Sequence, residues 1–186
     1  PSTYGGTSAN GTRNFRWRTV GIENEIEGTE AEVIWSPIRN YQALINGSWL
    51  FTAETVDNPS IVKGSGELAD IYYGNRIENV PEFRFNMVHK YTFTGGFVDG
   101  LSVNAAMRYT SETIIDRSAG WNPDKGGFTA GNYVVWDAGV SYPWELFGVQ
   151  LDSSLRVNNL FDKFYFENNY IPSNGRVITF LTRVTF

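Results

Sequence analysis

The sequence predicts an all-β fold, an antiparallel transmembrane β-barrel segment of about seven strands. Three observations lead there. Residues 176–186 alternate strictly: Ile178, Phe180, Thr182, Val184 and Phe186 share one face, opposite Thr179, Leu181, Arg183 and Thr185, because successive strand side chains point to opposite sides. Six further segments are also strand-like, and several run longer than the usual 5–6 or so residues of a globular strand, meeting the roughly 9–11 that cross a bilayer at a tilt. The connections between them alternate short and long, as in outer-membrane barrels with short periplasmic turns and longer outer loops.

Taken in order, residues 1–16 are rich in Gly, Ser, Thr and Asn and read as the end of an extracellular loop; 17–186 read as the C-terminal strands of the barrel. The expected strands are 17–35, 41–56, 79–93, 101–115, 132–142, 149–160 and 176–186. In the second, Ala43, Ile45, Trp49 and Phe51 oppose Gln42, Asn46, Ser48 and Thr52. In the fourth, Leu101, Val103, Ala105, Met107 and Tyr109 oppose Ser102, Asn104, Ala106, Arg108 and Thr110. The fifth sets Val134, Trp136, Ala138, Val140 and Tyr142 against Val135, Asp137, Gly139 and Ser141. The sixth sets Val149, Leu151, Ser153, Leu155 and Val157 against Gln150, Asp152, Ser154, Arg156 and Asn158. Short connections fall at 36–40, 94–100 and 143–148, built from Pro, Gly and Asn, and long ones at 57–78, 116–131 and 161–175. If residue 186 lies at the periplasmic rim, every short connection is periplasmic. Seven strands leave two unpaired edges, which hydrocarbon does not tolerate, so further strands are expected from a longer polypeptide.

Composition agrees. Aromatics make up 16% of the chain, yet mean hydropathy is only -0.29, and no run approaches the roughly 20 apolar residues of a transmembrane helix. A sheet with one apolar and one polar face reconciles the two values. Net charge is -5 with no dense basic patch, which excludes a nucleic-acid footprint. The absence of Cys excludes disulfides, thiol chemistry and Cys-type zinc sites. His89 is the single histidine.

Several segments resemble the C-terminal part of TonB-dependent outer-membrane receptors, particularly the ferric-siderophore branch. Asn159-Leu160-Phe161-Asp162-Lys163, followed by Phe164-Tyr165, resembles the family's NLFDKxY motif at the top of the penultimate strand, and Gly175-Arg176 then opens a final strand ending in Phe186. Gly74 through Val80-Pro81 is similar to the family's entry to a strand, Gly100-Leu101-Ser102 with Arg108-Tyr109 to the strand that follows, and Gly21 with Glu23 and Glu25 to another. The resemblance implies the last part of a 22-stranded barrel whose lumen is filled by a plug, the plug and its TonB box having no counterpart in this sequence. It also implies import of a ferric siderophore, energised by a TonB–ExbB–ExbD complex acting on that plug. A barrel-assembly machinery would read the last strand, with Phe180, Val184 and Phe186 as the signal. Outer-membrane lipid and lipopolysaccharide would surround the wall. No resident cofactor is expected, iron being present only within the transported chelate.

The outer loops carry the candidate ligand-binding residues: Tyr72, Tyr73 and Arg76 in one, Trp121 and Lys125 in the next, and Phe164, Tyr165 and Tyr170 in the third. A bulky anionic chelate suits aromatic contact area and cationic charge; the competing reading is that these residues pack the loops together. Glu23, Glu25, Glu27, Glu30 and Glu32 form the densest carboxylate cluster; Ca²⁺ ligation or acid–base work competes there with a polar lumen-facing strand paired with Arg or Lys. Trp17, Trp35, Trp49, Trp136, Trp144, Tyr109 and Tyr142 read as interfacial girdle residues more readily than as sugar-stacking platforms. No catalytic set is visible, since the serines lack a histidine partner. The alternatives are the same scaffold importing cobalamin, haem or an oligosaccharide, a porin or barrel enzyme, and a secreted glycan-binding β-sandwich.

Overall fold

The computed structural model of the chain describes residues 2–7, 13–18, 22–57, 75–116, 128–168 and 171–185. In chain order the strands are β1 (Ser2–Thr7), β2 (Arg13–Arg18), β3 (Glu23–Trp35), β4 (Tyr41–Asp57), β5 (Phe83–Thr92), β6 (Ser102–Thr110), β7 (Thr113–Asp116), β8 (Phe128–Ala130), β9 (Tyr133–Leu146), β10 (Val149–Asn158), β11 (Phe166–Asn168), β12 (Ile171–Pro172) and β13 (Val177–Thr185). Seven of them form one sheet in the order β13-β10-β9-β6-β5-β4-β3, every neighbouring pair antiparallel. Setting aside the small hairpins, this is an up-and-down meander in which chain neighbours are sheet neighbours. The pairs β1–β2, β7–β8 and β11–β12 are separate two-stranded hairpins.

The register sorts the sheet into two faces. Val103, Ala105, Met107 and Tyr109 lie opposite Val140, Ala138, Trp136 and Val134 on β9, and opposite Tyr91, His89, Met87 and Phe85 on β5. On β10, Leu151, Leu155 and Val157 meet Val184, Phe180 and Ile178 of β13 on this same face. The other face is polar: Asn104, Arg108 and Thr110 sit beside Lys90, Asn86 and Arg84, and Asp152 beside Arg183. Among the described residues only Ala43, Ala53, Ile115, Ala130, Val135 and Tyr165 are buried hydrophobics, while Phe180, Ile178 and Trp35 stand more than half exposed. A single layer has no interior, so its apolar face needs a covering from outside the sheet; hydrocarbon supplies that covering in a transmembrane barrel.

Aromatic side chains gather toward both ends of the apolar face. Trp35, Tyr41, Tyr91, Tyr142 and Trp144 lie toward the short turns, and Trp49, Phe51, Phe83, Tyr109 and Trp136 toward the long loops. Two such bands match the interfacial girdles of membrane barrels. The Trp35 ring meets Tyr41 edge-on at 5.8 Å. The Tyr41 hydroxyl lies 2.5 Å from His89 Nδ1, so the single histidine is partnered inside this band. The side chain of Trp17 lies outside the described residues.

Boundaries differ from the sequence expectation in four places, the last three with a local cause. The expected strand over 17–35 is divided: Trp17 belongs to β2, and the sheet strand begins at Glu23. Residues 79–82 form a turn rather than strand, with Asn79 at φ 62° and Pro81 unable to donate to a ladder. The strand expected over 101–115 ends at Thr110, because the Phe83 N–H donates to the Ser111 hydroxyl rather than to a main-chain carbonyl and β7 leaves the sheet to pair with β8. The expected 143–148 turn shrinks to Phe147–Gly148, since β9 continues to Leu146. Pro143 is tolerated there because β6 pairs with β9 only as far as Ser141, which leaves that side of β9 an edge.

β3 is an edge strand, all of its residues are exposed, and its five glutamates belong to no ion pair among the described residues. Glu23, Glu25 and Glu27 lie opposite Asp57, Glu54 and Thr52, and Glu30 and Glu32 opposite Ser48 and Asn46, so β4 places no Arg or Lys directly across from them.

Candidate ligand-facing site at the long-loop rim

The site begins with the turn that caps β10. Asn159 and Asp162 both take left-handed backbone conformations, φ 52° and 54°, which Asn and Asp tolerate better than most residues. The Asn159 amide is buried and engaged on every side. Its Nδ2 donates to Lys163 O at 2.9 Å and to Asn174 O at 3.4 Å, while its Oδ1 accepts from Lys163 N at 2.8 Å. Its backbone N–H donates to Asp137 Oδ1 at 2.7 Å, and Leu160 N–H reaches Trp136 O. Asp162 Oδ1 accepts from Arg176 N at 2.7 Å. A Cβ on Gly175 would sit 2.9 Å from that same oxygen, so a glycine precedes Arg176 for lack of room. The Asn-Leu-Phe-Asp motif therefore closes a loop: it ties the top of β10 to the start of β13.

On the polar face the loop meets a charged cluster. Arg108 of β6 lies 4.0 Å from Asp137 of β9 and 3.7 Å from Glu167 of β11. The Tyr165 hydroxyl donates to Glu167 Oε1 at 3.1 Å. Its ring stacks on Tyr133 with centroids 4.3 Å apart. Burial pushes the Tyr165 phenol above its ordinary range, the bond to Glu167 adds to this, and the Arg108 charge opposes it; the phenol is thus a neutral donor near pH 7. Between the cluster and the β11–β12 hairpin lies an open cleft of about 480 Å³ bordered by Arg108, Tyr165, Glu167, Ser173 and Asn174. Arg108 Nε and Ser173 Oγ are buried at its wall without a hydrogen-bond partner among the described residues.

Of the expected ligand-contacting residues, the structure places three. Phe164 is well exposed and packs edge-on against Phe166. Tyr165 is buried as described. Arg76 donates from Nε to Val80 O and from Nη2 to Leu50 O, so its guanidinium staples a loop to the middle of β4. Tyr72, Tyr73, Trp121, Lys125 and Tyr170 lie outside the described residues, as does Phe186. Phe180 and Val184 stand on the apolar face of β13, opposite Leu155 and Leu151. Phe161 of the motif is also exposed. Arg108, Asp137, Tyr133 and Glu167 were not among the ligand-site candidates of the sequence, whose alternation puts Arg108 and Asp137 on a polar face without saying that they meet.

Residues 2–160 match the family described as TonB dependent receptor-like, beta-barrel. The chain belongs to this receptor family. Receptors of this family are outer-membrane proteins, and the family is one of transport receptors rather than enzymes. The chain is 31% identical over 101 residues to the metal-pseudopaline receptor CntO of Pseudomonas aeruginosa, covering 54% of this chain and 13% of that protein. It is 34% identical over 95 residues to the ferrichrome outer membrane transporter/phage receptor of Escherichia coli, covering 50% and 12%. Among solved structures, the siderophore receptor PiuA of Acinetobacter baumannii superposes with a TM-score of 0.66 at 22% identity, over 88% of this chain and 22% of that one. The ferric preacinetobactin receptor BauA of the same species gives 0.68 at 16%, over 98% and 25%. The matched regions thus span about a quarter of a solved receptor's length and about an eighth of the curated relatives' length. The seven-stranded sheet is a partial barrel wall of that family.

Proposed function

We propose that this chain is part of the wall and outer binding surface of a receptor that imports a ferric siderophore. The observation that carries the reading is the rim at the long-loop end, where the polar face opens into the Arg108–Tyr165–Glu167 cleft and the loop after β10 exposes the rings of Phe161 and Phe164. Aromatic faces supply contact area for a chelate's planar arms, and guanidinium hydrogen bonds complement its anionic oxygens. The siderophore-related names of the relatives above support that cargo class. Tyr72, Tyr73, Arg76, Trp121, Lys125 and Tyr170 belong to the proposed surface through the loops that carry them. A TonB–ExbB–ExbD complex acting on a plug would energise transport, and the barrel-assembly machinery would insert the wall, reading Phe180, Val184 and Phe186 in the last strand.

The test uses the full-length receptor in an iron-starved host lacking it. A ferric siderophore from a panel of hydroxamate, catecholate and carboxylate chelates should restore growth only when TonB is intact. Phe164→Ala should weaken binding of that chelate about tenfold, or roughly 1.4 kcal/mol. Binding of cobalamin, haem or an oligosaccharide with no response to any ferric chelate would overturn the cargo while leaving the scaffold standing.

A further inference from the structure

Three short connections leave the sheet at the same rim, and each presents one apolar side chain to solvent. Ile38 between β3 and β4 is 53% exposed, Phe97 between β5 and β6 is 93% exposed, and Phe147 between β9 and β10 is 97% exposed. Phe147 is the least expected of them. It takes φ 51° ahead of Gly148 at φ 81°, in a two-residue hairpin loop closed by Leu146 opposite Val149. Such a loop favours Asn-Gly or Asp-Gly, and a bulky ring in the left-handed region is uncommon. The turn carries a large apolar group where an amide would suit the backbone better.

The rim continues the aromatic band of the apolar face. Trp144 lies three positions before Phe147, and Tyr41 three after Ile38. A strand rising about 3.3 Å per residue at a tilt near 45° advances roughly 2.3 Å per residue along the membrane normal. Phe147 therefore lies about 7 Å beyond the Trp144 level, close to the thickness of one headgroup layer. The strand order spaces the three tips by two strands each, roughly 10 Å along the rim. Arg39, beside Ile38, has no ion-pair partner among the described residues and suits lipid phosphate.

We propose that this rim is an anchoring surface for one phospholipid leaflet, with Ile38, Phe97 and Phe147 set into its headgroup layer. The occupant is lipid because the rim is continuous with the face that hydrocarbon already covers. The strand-end girdle fixes the height of the wall, and the tips fix its turns to the same leaflet.

Cys is absent from this chain, so spin labels read the depth. Phe97→Cys and Phe147→Cys are introduced into the full-length receptor, freed of any other cysteine, labelled with a nitroxide and reconstituted into phosphatidylethanolamine–phosphatidylglycerol vesicles. The ratio of oxygen to water-soluble nickel-complex relaxation should be higher at both labels than at the long-loop control Asn174→Cys. Ratios at 97 and 147 equal to that of the control would show turns standing in water. Labels immobilised and reached by neither agent would show tips packed on protein. Either result overturns the proposal. Should Phe147→Cys fail to fold, Phe97→Cys and Ile38→Cys decide it, since neither residue has a left-handed backbone.

Discussion

Gly28→Ala is expected to lower the folding stability of the receptor by roughly 2–3 kcal/mol, the upper range for forcing a methyl against neighbouring backbone. A Cβ at this position would lie 2.5 Å from Leu50 Cδ2 and 2.6 Å from Trp49 O. The leucine methyl can rotate away; the carbonyl oxygen belongs to the β3–β4 ladder and cannot. The crowding arises from a bulge. Glu27 pairs with Thr52 and Gly28 with Leu50, which leaves Phe51 unopposed and draws the two backbones into close approach. Moving the bulge would slip the register and exchange the faces of the residues beyond it. Gly47, on the neighbouring strand, is the control. Its added Cβ would meet nothing nearer than 3.4 Å, so Gly47→Ala should stay within about 0.5 kcal/mol of wild type. Urea unfolding of receptor in vesicles checks both; equal effects would remove the steric account.

Asn159→Ala should cost about 2–4 kcal/mol and loosen the loop between β10 and β13. The side chain is only 4% exposed and makes three hydrogen bonds that bind Lys163 and Asn174. Removing it leaves backbone groups without partners, at about 1–3 kcal/mol in such settings, and places Ala at φ 52°, which adds roughly 1–2 kcal/mol. Asn159→Gly separates the contributions, because it relieves the backbone and still lacks the amide. Limited proteolysis between residues 161 and 176 should be faster in both variants and fastest in Asn159→Ala. Unchanged proteolysis in Asn159→Ala would mean that the loop is held by other contacts.

These two positions mark the limits of what the sequence disclosed. The seven strands and their faces were legible because alternation such as Leu151–Val157 is written in residue order and needs no partner to be seen. The girdle residues followed from the same alternation. The bulge opposite Gly28 was not legible: it depends on which residue of β4 is skipped, a property of two strands together. The departure of β7 was hidden because residues 111–116 keep strand-like composition while changing partners. Resemblance located the Asn159–Asp162 motif, whereas its work became visible only as left-handed turns and paired amides. Tyr165 read as a loop aromatic open to ligand, and its ring lies buried against Tyr133 because β9 and the returning loop converge there. Arg108, Asp137 and Glu167 come from three segments far apart in sequence, and only the register of β6 with β9 brings the first two together.

The central claim is that one face of this sheet meets lipid and the other does not, and Ala105 and Ala106 test it most directly. They are adjacent in the middle of β6. Ala105 lies on the apolar face between Ala138 and His89, and Ala106 on the polar face between Asp137 and Val88. Folding free energies of the full-length receptor in phospholipid vesicles should fall by roughly 2–4 kcal/mol for Ala105→Arg, as for a charge near the bilayer midplane. Ala106→Arg should change them by less than about 1 kcal/mol. Equal costs, or the larger one at Ala106, would contradict the assignment of faces and with it the barrel wall.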